Sequence, residues 1–152
     1  MIVASLMRGR RTIHLSAEAD FPSVRLLAAA CHGVLAEWGL CEERRSLLEL
    51  AVVEAATNVV RHAYGGRGGR VDVELAREGN AIDLSVVDSG ASFDPTRVPP
   101  PREPDPADPS TWPEGGMGLP IIRASCDELR YRSEEGRNRL TLFLRLDGPE
   151  AP

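Results

Sequence analysis

Eight of the twelve prolines in this 152-residue chain fall between positions 95 and 113. Proline has no backbone donor and a fixed φ, so neither a helix nor a central strand runs through such a stretch. Any fold must therefore carry a long irregular loop from Gly90 to Gly116, with regular structure on either side. A loop of that length within a compact domain is either functional or a disordered insert.

Before the loop, Thr12–Leu15 alternates as a short edge strand. Asp20 and Pro22 signal a helix start, and Val24–Trp38 reads as an amphipathic helix closed by Gly39. A second helix is expected from Glu42 to Tyr64, mostly buried through Leu47, Leu48, Leu50, Ala51, Val52, Val53, Val59 and Val60 and stopped by Gly65 and Gly66. Two strands follow, Val71–Leu75 and Ile82–Val87, joined by a turn at Glu78-Gly79-Asn80. After the loop come a short helix over Gly118–Cys126 and a hairpin of Leu129–Arg132 with Leu140–Leu146. Strands and helices in this order predict an α+β fold: a two-layer sandwich with a mostly antiparallel, mixed sheet covered on one face by about three helices. A chain this long fits one domain spanning residues 1–152.

Charge narrows the function. Against 23 acidic residues stand 18 basic ones, all of them Arg, for a net charge of −5. An acidic chain without a basic stripe is a poor nucleic-acid binder, and with no Lys it offers neither a P-loop nor a Schiff-base lysine. No run reaches the roughly 20 apolar residues of a membrane span. The opening MIVASLMRGRR places its basic residues after the apolar run, the reverse of a signal peptide, so a cytoplasmic protein is expected. Cys31, Cys41 and Cys126 lack paired metal-ligand spacing and read as reduced packing thiols.

Three constellations could carry chemistry. Glu54, Asn58 and His62 recur every four residues and so share one stripe of the second helix. A carboxylate, an amide and an imidazole on a largely apolar helix face either solvent or a cavity. Asp88 ends an apolar strand and is followed by Ser89 and Gly90. Ionised, it is acceptor-only and selects an N–H donor such as an adenine amino group, although Asp-x-Gly is also a common turn. Finally, Gly115, Gly116, Met117, Gly118 and Leu119 precede the third helix, where bare backbone amides can approach a phosphate.

In this order and spacing the three segments resemble the N, G1 and G2 boxes of the GHKL (Bergerat-fold) ATPase/kinase superfamily. EAATNVVRHAY, DSGASFDP and GGMGL are most similar to the bacterial anti-sigma-factor serine/threonine kinases. The resemblance implies an ATP-binding domain of the histidine-kinase-like type, with a lid at about 95–115. It assigns Asn58 as a magnesium ligand, Glu54 as the general base, and Asp88 as the adenine-reading acid with Gly90 in the turn beside it. Gly116, Met117, Gly118 and Leu119 correspond to the phosphate-binding segment, and His62 with Tyr64 to the end of the N box. Where the family often carries a Thr that supports the adenine site, Asn138 stands at the nearest position. Arg97 and Arg102 are the only cations of the lid.

The implied function is phosphorylation of a STAS-type anti-anti-sigma partner with ATP and Mg2+, coupled to sequestration of a sigma factor, in a protein whose relatives are commonly homodimers. Two alternatives remain open at this point: a nucleotide-responsive binding module without significant catalysis, and a switch kinase controlling a phosphatase.

Overall fold

The computed structural model describes residues 1–7, 9–99 and 118–146. The strands are β1 (Ile2–Met7), β2 (Arg10–Glu18), β3 (Arg70–Glu78), β4 (Ala81–Asp88), β5 (Glu128–Glu134) and β6 (Arg137–Arg145). They form one sheet in the order β1-β2-β3-β4-β6-β5. Every pairing is antiparallel, so the α+β expectation holds with a simpler sheet than a mixed one. Three helices complete the described residues: α1 (Phe21–Glu37), α2 (Glu42–Asn58) and α3 (Gly118–Ala124).

Register shows why the helices lie on one face. Leu15, Val73, Val86 and Leu140 stand opposite one another on successive strands, and Ile13, Leu75, Leu84 and Leu142 form the next row. These rows pack with Leu27, Ala28, Cys31 and Leu35 of α1 and Leu48, Ala51, Val52, Ala55 and Ala56 of α2 in a single core. The other sheet face carries His14, Glu74, Ser85, Arg139 and Thr141, the polar half of the same two-residue alternation.

Local signals explain the helix starts. Asp20 caps α1 by accepting the Ser23 amide at 2.7 Å, and a proline occupies the first turn. Leu47 and Leu50, expected inside, are 37% and 43% exposed. Thus α2 buries only the stripe at 48, 51, 52, 55 and 56, and its opposite side is open to solvent. Cys31 is buried and Cys126 half-buried, whereas Cys41 is exposed at the start of α2 and is not a packing thiol.

Two elements differ from expectation. β1 was not foreseen, because Ile2–Met7 lacks the apolar/polar alternation of a half-buried strand, yet it pairs along its length with β2. The α-helical part of the second helix also ends at Asn58, not Tyr64. Val59–Ala63 forms a π-helical turn in which the Tyr64 amide reaches back to the Val59 carbonyl at 3.0 Å. That turn carries neither Gly nor Pro, so no sequence signal marks it. Single π turns of this kind interrupt α-helices frequently at functional sites.

Candidate active site

At one end of the sheet the inward apolar rows give way to polar residues. Two positions beyond Val86 and Leu140 on the same face, Asp88 stands opposite Asn138, and Asn138 opposite Ser133. Asp88 and Asn138 are 8% and 3% exposed, which for polar side chains requires complete pairing or a ligand. Asp88 Oδ1 accepts the Gly90 amide at 2.8 Å and Asn138 Nδ2 at 2.8 Å. Asn138 Nδ2 also donates to the Gly90 carbonyl at 3.1 Å, while its Oδ1 accepts from Tyr131 Oη at 3.2 Å and Ser133 Oγ at 2.8 Å. Because a carboxylate and a carbonyl only accept, the amide nitrogen belongs on the Asp88 side.

Above this pair opens a small cleft of about 40 Å3. Asn58 and His62 line it from the second helix, and Asp88 and Asn138 from the sheet. Ala55, Val59, Val86 and Leu140 give it apolar walls, and Ala91, Phe93 and Pro95 form the side nearest the loop. Apolar walls with a few fixed polar groups suit a heteroaromatic ring. Among the described residues no hydrogen bond reaches Asp88 Oδ2, so that oxygen is the acceptor left for a ligand.

The π turn aims the loop beyond β4. It turns the Ala63 carbonyl outward to accept the Ala91 amide at 2.9 Å. Gly90 packs against the same peptide so closely that a Cβ there would lie 2.5 Å from the Ala63 oxygen. Tyr64 Oη accepts the Ser89 amide at 3.0 Å and donates to the Arg70 carbonyl at 2.8 Å. The Phe93 amide donates to Tyr131 Oη at 3.1 Å, and the Phe93 ring sits 6.4 Å from that of His62. Further along, Arg123 of α3 donates to the Pro95 carbonyl at 3.0 Å and the Val98 carbonyl at 2.6 Å. The first residues of the proline-rich loop are thereby fastened to α3. Arg97, in the same loop, is exposed and pairs with Asp94 at 3.2 Å.

Glu54 lies outside the cleft lining. It sits one helical turn before Asn58, and its carboxylate rests against the first residue of α3. A Cβ on Gly118 would lie 2.6 Å from Glu54 Oε2, so any other residue there would displace that carboxylate. Leu119 is half-buried against the core and does not line the cleft. Gly116, Met117, Arg102 and the lid from position 100 to 115 lie outside the described residues. The structure thus brings Asn58, His62 and Asp88 into one cavity, places Gly90 beneath it, and leaves Glu54 and Gly118 at its margin. Tyr131 was not among the predicted site residues, and Asn138 was named only as standing nearest the Thr that supports the adenine site in the family. The sequence did hold a signal, because Asn138 is the one polar residue in the inward series Asn138, Leu140, Leu142, Leu144.

The profile of the histidine kinase-like ATPase domain matches residues 16–144. The chain belongs to that family. Among curated proteins it is 29% identical, over 126 residues, to the serine-protein kinase RsbW of Bacillus thuringiensis strain Al Hakam, covering 80% of this chain and 76% of the relative. The RsbW of Bacillus cereus strain 03BB102 matches to the same extent. Among solved structures, the RsbU and RsbW domains of Rv1364c from Mycobacterium tuberculosis superpose with a TM-score of 0.63 at 23% identity. That match covers 91% of this chain but 33% of the solved one, and it establishes the Bergerat-type fold. Family membership implies ATP binding. No described helix is long and apolar enough to cross a membrane.

Proposed function

We propose that the chain is an ATP-dependent serine/threonine protein kinase acting as an anti-sigma factor. It phosphorylates a STAS-type anti-anti-sigma partner and holds a sigma factor inactive once that partner is phosphorylated. The observation that carries this reading is the grouping of Asn58 and Asp88 on one cleft, with Glu54 one turn behind Asn58. The RsbW relatives, named as serine-protein kinases, support the choice of reaction.

In this reading Asp88 Oδ2 accepts the adenine amino group, and the apolar walls hold the ring. The donor set fits magnesium, since a single side-chain oxygen from Asn58 would leave the remaining positions to phosphates and water. The bound ion would offset charge on the transferred phosphoryl group. Glu54 takes the proton from the attacking serine or threonine hydroxyl, whose oxygen bonds to the terminal phosphorus as ADP leaves.

Transfer of labelled phosphate from ATP to a STAS-domain protein, run beside nucleotide titrations, tests the assignment. Glu54→Gln keeps nucleotide affinity and lowers transfer by about 10²–10⁴-fold, the usual contribution of a positioned base. Asn58→Ala loses magnesium-dependent affinity as well. A parent protein that binds ATP and retains the sigma factor but labels no partner would establish a sequestering module instead.

A further inference from the structure

We propose that Asn138 is a positioning residue that sets base selectivity by closing one oxygen of Asp88. The inference rests on Asp88 being the group that reads the base. A carboxylate has two oxygens, and with both available it can accept two parallel N–H bonds from one ligand edge. Guanine presents such an edge, with its ring N1–H beside its exocyclic amino group. Adenine presents one amino donor beside a ring nitrogen that only accepts. The number of free carboxylate oxygens therefore decides which base is favoured.

In this chain Oδ1 is fully committed. Its two lone pairs receive the Gly90 amide and Asn138 Nδ2, both at 2.8 Å. Asn138 cannot swing away, because Tyr131 and Ser133 both donate to its oxygen, its second N–H holds the Gly90 carbonyl, and it is 3% exposed. Every hydrogen-bonding group of the Asn138 amide is thus occupied, and a fully satisfied buried network of this kind fixes one geometry. Only Oδ2 remains, one oxygen where a parallel pair of donors from one ligand edge needs two. Adenine uses that oxygen fully, whereas guanine would bring a second donor with no acceptor and set its O6 near a carboxylate. The clamp also ties selectivity to the loop, since Tyr131 accepts the Phe93 amide at the cleft wall.

Two variants test the idea in the full chain, with ATP and GTP titrated separately by calorimetry. Asn138→Leu keeps the branched outline of the side chain on a strand whose inward neighbours are leucines, and it removes the donor to Oδ1. Asn138→Thr keeps a hydroxyl donor on a side chain that favours strands. The ATP-to-GTP affinity ratio should fall by about tenfold in the Leu variant, the scale of one hydrogen bond, and recover in the Thr variant. A role confined to folding would weaken both nucleotides alike and leave the ratio fixed. If Asn138→Leu does not fold, Tyr131→Phe supplies the test, because it frees the amide on one side; it should lower the ratio in the same direction. A parent preference for ATP that persists unchanged in every folded variant overturns the inference and leaves the Asp88 assignment standing. A parent that binds neither nucleotide overturns both.

Discussion

Gly118 opens α3 directly against Glu54, close enough that a Cβ would lie 2.6 Å from the carboxylate oxygen Oε2. The obstructing atom is the tip of a flexible side chain, so Gly118→Ala should be relieved by moving Glu54, not by moving backbone. Stability by urea titration is expected within about 1 kcal/mol of the parent, since alanine is also the better helix residue. Phosphate transfer should fall by up to about 10²-fold, the loss that a displacement of about 1 Å in a reacting group brings. Unchanged transfer in Gly118→Ala would mean that the observed position of Glu54 is not the one used in the reaction.

Gly90 makes the contrasting case. A Cβ there would lie 2.5 Å from the Ala63 carbonyl oxygen and 2.6 Å from its carbon, both backbone atoms in the π turn. Neither can rotate away, so Gly90→Ala must displace the loop or the helix end, with an overpacking cost of about 1–3 kcal/mol. The same displacement pulls the Gly90 amide from Asp88 Oδ1. Unfolding free energy and ATP affinity should therefore drop together. A variant with parental stability and affinity would show that the Gly90–Ala63 contact is dispensable.

Much of this was legible in the chain, for reasons that differ by element. Val71, Val73 and Leu75 alternate with polar residues, and the resulting strand defines the middle of the sheet. Asp88 was legible as an acid ending an apolar strand before glycine. The π turn was not, since a slip from the i−4 to the i−5 carbonyl depends on Ala63 meeting Ala91, a contact between distant segments. Periodicity placed Glu54, Asn58 and His62 on one stripe, yet Glu54 meets Gly118 of a distant segment while the other two line the cleft. Asn138 was readable as a departure from the family pattern, but its hold on Asp88 emerged only once register set β6 opposite β4.

The three thiols should separate by reactivity. Burial pushes the Cys31 thiol up to about 12 and the Cys126 thiol up to about 11. Near neutral pH both carry almost no thiolate, the species that attacks alkylating reagents. Cys41 is exposed. Iodoacetamide treatment of the folded protein, read by peptide mass spectrometry, should modify Cys41 first and reach Cys31 only after denaturation. Equal labelling of Cys31 in the native protein would mean that the core between α1 and the sheet opens readily.

The acid limb of stability should bear the mark of Glu74. On the open sheet face Arg139 grips this carboxylate with both terminal nitrogens, at 2.5 and 3.0 Å. The Arg139 hydrogen bonds, more than the nearby charges of His14 and Arg137, hold the Glu74 carboxyl below its ordinary value of 4.5. A carboxylate whose pKa is lower folded than unfolded adds stability that is complete above the unfolded value and is lost as pH falls through the folded one. Both side chains are partly exposed, 21% for Glu74 and 37% for Arg139, so solvent screening limits the contribution to about 1 kcal/mol or less. Glu74→Gln mimics the protonated side chain. Urea titrations should find the variant less stable than the parent at pH 7, with the gap narrowing below pH 4.5 and closing once Glu74 is protonated in the folded protein. A gap that stays constant down the acid limb would show that Glu74 stabilises the sheet by packing and not by its charge.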